Sequence, residues 1–276
     1  MSDETQLETW GCADEEMLAD PSRRRPCIGM LLAAGMLTAG ACTPAANDAP
    51  SGAPEFATAR AALLDELRTQ GIGDARVLSA MERVPREQFV RPQDRALAYA
   101  NQPLPIGEGQ TISQPYVVGL MSQLLELGGD ERVLEVGTGS GYQAAVLALL
   151  AREVYTIEID AHLATAARAR LTRLGYRNVS VRAGDGFYGW EEAAPFDAIV
   201  VTAVAPRVPE RLVDQLKPGG RLVMPLGEGR QQRLVRGRKQ DGGLQTEPVA
   251  DVVFVPMTGA VRSPSPSTTS VPGVER

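Results

Sequence analysis

From residue 133 onward the chain alternates short apolar runs with segments of helical period. VLEVG (133–137) is apolar except for Glu135 and leads into a glycine-rich turn, after which QAAVLALLA (143–151) predicts a helix. EVYTIEI (153–159) is a β-rich run. Asp160 is placed to cap a helix over HLATAARARLTRLG, which Gly175 ends. VSVRAG (179–184), FDAIVVTA (196–203) and GGRLVMPLG (219–227) predict three further strands, with a helix over PERLVDQL (209–216) before the last. Apolar strands separated by helices imply a parallel sheet covered on both faces. Two later runs, around 232–238 and 244–255, flank Asp241-Gly242-Gly243 and predict an antiparallel hairpin at the sheet edge. The fold class is therefore α/β, with a mostly parallel sheet, helices on both faces and a C-terminal antiparallel hairpin.

Upstream, the pattern is helical. Ala59 to Arg68 places Ala62, Leu63 and Leu67 on one side, with Gly71 as a stop. Asp74 can cap a second helix that runs to about Glu82. Val84-Pro85 ends it, because proline disfavours helix at the preceding residue. Three zones follow from these patterns. Residues 1–54 form an irregular N-terminal extension, 55–260 a domain, and 261–276 (VRSPSPSTTSVPGVER) a disordered, Pro- and Ser-rich tail.

Within the extension, Arg23, Arg24 and Arg25 precede sixteen residues, Cys27 to Cys42, that carry no charge. The run is short for a membrane span, but basic residues, an apolar stretch and then small residues describe a secretory signal. Ala39-Gly40-Ala41-Cys42 resembles a bacterial lipoprotein cleavage box, which would make Cys42 a lipidated first residue. Acidic residues before it (Asp3, Glu4, Glu8, Asp14, Glu15, Glu16) oppose that reading unless translation starts at Met17. A signal and a disordered, Ala-rich extension both remain open.

Composition narrows the chemistry. The 276 residues are 43% hydrophobic and 22% charged, with 28 basic against 34 acidic side chains and a net charge of −6. No basic footprint marks a dedicated nucleic-acid binder. One histidine, His162, excludes a His-based triad and a His-rich metal site, so no metal is expected. His162 itself reads as a surface helix residue. Cys12, Cys27 and Cys42 all precede the domain, which therefore holds no disulfide, zinc knuckle or cysteine nucleophile. Trp190 and Phe187 read as core or rim. Arg230, Arg233, Arg236, Arg238 and Lys239 read as a solvated strand face, with steering of acidic peptides as the alternative.

The strongest chemical signal is Leu134-Glu135-Val136-Gly137-Thr138-Gly139-Ser140-Gly141, lying between a strand and a helix. Glycines allow a tight turn and close approach of a ligand. A dinucleotide fingerprint would be G-x-G-x-x-G, but position 142 is Tyr142 and the pattern is G-x-G-x-G. A ligand without a pyrophosphate fits better. Glu158 ends the next strand, 21 positions after Gly137, where an acid can accept from a ribose diol. Asp185, in Gly184-Asp185-Gly186, follows the third strand. Glu135, Glu158 and Asp185 thus mark three consecutive strand ends, the rim of the ligand crevice in an open α/β sheet.

These residues resemble a class I S-adenosylmethionine-dependent methyltransferase with its Rossmann-like sheet. Val84-Pro85-Arg86-Glu87-Gln88-Phe89-Val90, Leu104-Pro105-Ile106-Gly107 and Gly109-Gln110-Thr111-Ile112-Ser113-Gln114-Pro115-Tyr116 sharpen the resemblance to the protein-L-isoaspartate O-methyltransferase family. It continues through VLEVGTGSGYQAAVLA, AGDGFYGW, PFDAIVVTA, LKPGGRLVMPLG and VVFVPM, covering roughly residues 60–258. The resemblance implies methyl transfer from S-adenosylmethionine to the free carboxylate of L-isoaspartyl and D-aspartyl residues in damaged proteins and peptides. It implies that Gly137, Thr138, Gly139 and Gly141 approach the cofactor's methionine part, and that Glu135 supports that turn and the amine. Glu158 would take the ribose hydroxyls, and Asp185 with Gly186 would border the adenine. Ser113 matches the family's active-site serine, with Thr111 and Ile112 around the acceptor carboxylate.

The residue types suit this chemistry. A carboxylate acceptor with a reference pKa near ~4 is already ionised at neutral pH, so no strong base is needed. A thioether leaving a sulfonium needs no general acid. Ser113 can donate one hydrogen bond to the acceptor, and could instead cap a helix over Tyr116–Glu126. A monomer is expected, with damaged proteins as partners and neither nucleic acid nor membrane, unless Cys42 is lipidated. The family's cofactor supply points to the cytoplasm. Two other readings stay open: methylation of a small carboxylate, and a non-catalytic envelope lipoprotein of the same fold.

Overall fold

The computed structural model describes residues 53–262. The three cysteines, the signal-like run and all but the first two residues of the Pro/Ser-rich tail lie outside the described residues. The chain opens with two helices, α1 (Ala57–Thr69) and α2 (Ala75–Arg83). Asp74 caps α2 by accepting from the Arg76 and Val77 amides at 2.8 and 3.4 Å. Val84 leaves it in an extended conformation ahead of Pro85. Asp74→Ala should cost about 1 kcal/mol. For a domain of this size the thermal midpoint should fall by roughly 2–4 °C, read by calorimetry with activity unchanged.

A small hairpin follows, β1 (Leu104–Gly107) and β2 (Gln110–Ile112), closed by Gly107, Glu108 and Gly109, all at positive φ. It leads directly into α3 (Pro115–Leu124). The alternating unit is β3 (Arg132–Val136), α4 (Tyr142–Ala148), β4 (Glu153–Glu158), α5 (Ala161–Arg173), β5 (Val179–Ala183), β6 (Phe196–Val201) and α6 (Glu210–Asp214). Three long strands end it: β7 (Leu216–Glu228), β8 (Gln231–Gln240) and β9 (Gly243–Asp251). Asp160 caps α5 through the His162 and Leu163 amides, and His162 is exposed in its first turn.

The sheet order is β5-β4-β3-β6-β7-β8-β9, parallel from β5 to β7 and antiparallel beyond. Side chains alternate between two cores, one on each face. Val133, Ala198 and Val200 enter one, with α1 to α4; Leu134, Ile199 and Val201 enter the other, with Leu212 of α6. Burial on both faces is why these strands read as unbroken apolar runs.

The predicted edge hairpin is present as β8 and β9, and it ends a three-stranded meander, because β7 runs on past the parallel register to pair with β8 over its whole second half. Three expectations change. The run 244–255 leaves the sheet after Asp251. There the Gln232 side chain takes over the ladder, its Oε1 accepting from the Phe254 amide at 2.6 Å. The helix over 209–216 shortens to Glu210–Asp214, since Leu216 already pairs with Phe196. Arg233, Arg236 and Arg238 do form a solvated face, but a neutralised one: they pair with Asp251, with Glu126 and Glu247, and with Glu126. Trp190 is half-buried against Tyr155, ring centroids 5.3 Å apart.

Candidate active site

The strand order reverses between β3 and β6, and ligands of open α/β sheets bind outside the carboxyl ends at such a point. There the structure places a cleft lined by the ends of β3, β4 and β6 and by the β2–α3 loop. Its floor is the glycine turn. Gly137, Gly139 and Gly141 have φ of 99°, 52° and 87°. Thr202, just past β6, braces the turn: its hydroxyl lies 2.7 Å from the Gly137 carbonyl oxygen and 3.1 Å from that of Val136. A Cβ on Gly137 would stand 2.3 Å from the Thr202 Oγ1, and one on Gly186 would stand 2.2 Å from the Val136 Cγ1. The floor is thus a cradle that only glycine leaves open. Glu158 Oε2 accepts from the Gly139 amide at 2.7 Å and Oε1 from the Asp160 amide at 3.1 Å. A carboxylate has about four acceptor sites, so lone pairs remain for a diol. Ile159 beside it, 46% exposed, adds an apolar wall to the cleft.

The opposite wall is the β2–α3 loop, where Thr111, Ile112 and Ser113 line the cleft. A second cavity of about 1210 Å³ lies beyond, lined by residues that include Tyr116, Leu120, Val253 and Phe254. Thr111, Ser113, Thr202 and Val255 belong to both. Ser113 therefore stands at the junction. It does not cap α3, as the sequence allowed: the cap position is Gln114, without a side-chain cap bond. Pro115 opens the helix with its φ preset and no amide to satisfy.

Of the expected cofactor residues, Gly137, Thr138, Gly139, Glu158 and Gly186 line the cleft. Glu135, Gly141 and Asp185 do not. Gly141 turns the chain into α4 and packs against Leu171 of α5. Asp185 is held by backbone donors, Phe187 N at 2.9 Å and Ala260 N at 2.7 Å, and so fastens the C-terminal segment whose Met257 and Thr258 form the cleft's rim. Glu135 is fully buried under the turn, and neither carboxylate oxygen has a hydrogen-bond partner among the described residues. Burial pushes its pKa up to about 8, and the Glu158 charge adds to it. Thr138 turns its hydroxyl down to Thr156, 2.6 Å away.

Residues that sequence reasoning missed are Thr202, Ile159 and Gln143. Thr202 could have been found by the strand-end rule applied to Glu158 and Asp185. Gln143 is the one polar residue in the QAAVLA run. The residue lines the cleft; its Nε2 donates to Ser122 Oγ at 2.9 Å, while its buried Oε1 has no partner among the described residues. Among the described residues, no three His, Cys, Asp or Glu side chains gather as a metal site, and no helix is long and apolar enough to cross a membrane.

A glycine cradle at the switch point of a β5-β4-β3-β6-β7 sheet, with an acid closing the next strand, defines a class I S-adenosylmethionine-dependent methyltransferase. The family model for protein-L-isoaspartate(D-aspartate) O-methyltransferase (PCMT) matches residues 58–262. The chain is 52% identical over 230 residues to protein-L-isoaspartate O-methyltransferase 2 of Syntrophobacter fumaroxidans, covering 81% of this chain and 93% of that relative. It is 49% identical over 249 residues to protein-L-isoaspartate O-methyltransferase 1 of Cupriavidus necator, covering 88% and 96%. A solved protein-L-isoaspartate O-methyltransferase superposes with a TM-score of 0.68 at 31% identity, over 73% of this chain and 67% of the other. A Plasmodium falciparum structure, described as a beta-aspartate methyltransferase (PCMT) in complex with S-adenosyl-L-homocysteine, gives 0.63 at 28%, over 71% and 97%. The chain belongs to the protein-L-isoaspartate(D-aspartate) O-methyltransferase family. It is a protein repair methyltransferase that uses S-adenosylmethionine.

Proposed function

We propose that the two joined cavities divide the work of repair. The cleft over Gly137 and Gly139 takes the cofactor, and the second cavity takes the damaged peptide. When bound, S-adenosylmethionine supplies an electrophilic methyl group on a sulfonium. Everything else falls to this chain's residues. Gly137, Thr138 and Gly139 leave backbone room for the methionine part, and Gly141 sets the turn. Glu135 supports that turn from below. Glu158 accepts from the ribose hydroxyls. Gly186 and Ile159 border the adenine, and Asp185 ties down the rim beside it. Ser113, with Thr111 and Ile112 around it, holds the acceptor carboxylate at the junction and keeps water from it. Orientation of this kind can supply up to about 7–11 kcal/mol of barrier reduction.

The observation that carries this reading is that Thr111, Ser113 and Thr202 line both cavities. The apolar lining of the second cavity by Tyr116, Leu120, Val253 and Phe254 supports a peptide over a small carboxylate. The test is tritiated methyl transfer to an isoaspartyl peptide beside its normal aspartyl twin. Base-labile label on the first alone supports the reading; label on neither, with cofactor bound, overturns the acceptor assignment. A hydrogen bond to a charged group is worth about 1.5–3 kcal/mol, so Ser113→Ala should cut turnover by about 10- to 100-fold. Affinity for S-adenosylhomocysteine should stay near wild type, and a matching loss there would remove Ser113 from the acceptor side. We place the protein in the cytoplasm, where its cofactor is made, acting as a monomer on damaged proteins. A lipidated Cys42, detectable as an intact-mass shift, would move it to a membrane surface.

A further inference from the structure

Arg86 has no place in the reading above, yet it is among the largest fully buried side chains in the protein. Among the described residues it is a cation without a carboxylate partner: the adjacent Glu87 is spent on the Ala53 amide at 2.9 Å and the Tyr99 hydroxyl at 2.6 Å. The guanidinium instead donates through Nε to the Ala98 carbonyl and through Nη2 to the Ser113 carbonyl, each at 2.8 Å. Its centre lies 4.6 Å from the ring centroid of Tyr142, the residue that follows the glycine turn. Tyr142 packs edge-on against Phe89 at 5.5 Å. Arg170 covers Phe89 at 6.0 Å and donates to the Ser140 carbonyl at 2.7 Å. A stack of cation, ring, ring and cation thus runs through the core. One end is fastened to the backbone of the acceptor loop and the other to the backbone of the cofactor turn.

We propose that Arg86 is a positioning residue, which holds Ser113 in register with the cofactor turn by fixing the loop's backbone against Tyr142. The proposal rests on the reading of Ser113 as the acceptor's hydrogen-bond donor. A lysine keeps the charge but lacks the planar fork that reaches two carbonyls while lying on a ring. A misplacement of about 1 Å remote from the chemistry can cost as much as ~100-fold.

The experiment is a cycle of Arg86→Lys, Ser113→Ala and the double variant, assayed on an isoaspartyl peptide with S-adenosylhomocysteine affinity measured alongside. Arg86→Lys should lower kcat on the order of tenfold, with cofactor affinity kept within about threefold. In the Ser113→Ala background the same change should cost less than about threefold, because the hydroxyl it positions is gone. Hydrogen exchange at residues 110–114 should quicken while that at 137–141 stays as in wild type. Full additivity in the cycle, or loss of cofactor affinity in step with kcat, would overturn the proposal. An inert Ser113→Ala would instead refute the reading of Ser113, a distinguishable result. If Arg86→Lys does not fold, Phe89→Leu, outside both cavities, serves in its place: a fall in kcat that vanishes in the Ser113→Ala background supports the stack, and additivity overturns it.

Discussion

Gly137→Ala should weaken S-adenosylhomocysteine binding on the order of 100-fold, the loss following from two separate costs. At φ 99° an L-residue is strained by roughly 1–3 kcal/mol. The new Cβ would also stand 2.3 Å from the Thr202 Oγ1. Thr202 can retreat only by giving up its contacts with the Val136 and Gly137 carbonyls, a loss of about 1–3 kcal/mol at its upper limit because the group is half-buried. Relief by moving the turn instead pushes backbone into the cleft, where the cofactor packs. Where the empty turn relaxes and must return to its native shape to hold the cofactor, the two costs sum to about 2–6 kcal/mol, a range that includes the ~2.7 kcal/mol of a 100-fold change in affinity. Gly139→Ala is the internal control. Its Cβ would meet only the Ile106 Cδ1, the far end of a flexible side chain, at 3.4 Å, so at φ 52° alanine meets the left-handed strain of about 1–2 kcal/mol without a clash. Titration calorimetry should therefore rank Gly139→Ala well above Gly137→Ala in affinity. Adding Thr202→Ala to Gly137→Ala should recover part of the loss, since it removes the clash and leaves the strain. Equal losses at the two glycines would refute the cradle.

That cradle was legible in sequence because glycine spacing between a strand and a helix has few other uses. The strand–helix rhythm was legible for a related reason. Burial on both faces forces unbroken apolar runs, and Asp74 and Asp160 announce their helices by capping chemistry that depends on neighbours two and three residues away. What depends on distant neighbours was hidden. The β1–β2 hairpin is too short, at four and three residues, to carry a period. The length of β7 is set by its antiparallel partner β8 rather than by its own pattern. Ser113 could equally have been a cap until Pro115 was seen to open α3. Arg86, Tyr142, Phe89 and Arg170 span 84 positions, and nothing local in those residues announces that they stack. Gln232, whose side chain receives the chain as it leaves β9, was equally silent.

Glu135 makes the second large prediction, because its buried carboxyl ties stability to pH in the cofactor-free protein. Its pKa stands at about 8 in the folded state against an ordinary value of 4.5. Below the lower value both states hold the proton, and the folded state keeps its full stability. Between the two the folded protein retains a proton that the unfolded chain releases, so stability falls as pH rises, and the loss is complete above the folded value. One proton contributes a slope of about 1.4 kcal/mol per pH unit, so several kcal/mol should disappear between pH 5 and 8. Glu131 and Asp197 act in another window. Although partly buried, they are held low by the amides of Gly128 and Gly129 and of Arg132, and their contribution is lost only as pH falls through the acid range. Glu135→Gln removes the proton and keeps the shape. Its amide buries two N–H donors without partners where the protonated carboxyl buries one O–H, so the variant should be less stable than wild type at pH 5 by about 1–3 kcal/mol. Its stability should then decline less with pH, so that the two denaturation curves converge and cross before pH 9. Parallel curves from pH 5 to 9 would show that the group under the glycine turn is already ionised in the folded protein, paired with a donor that the neutral isostere would also have lost.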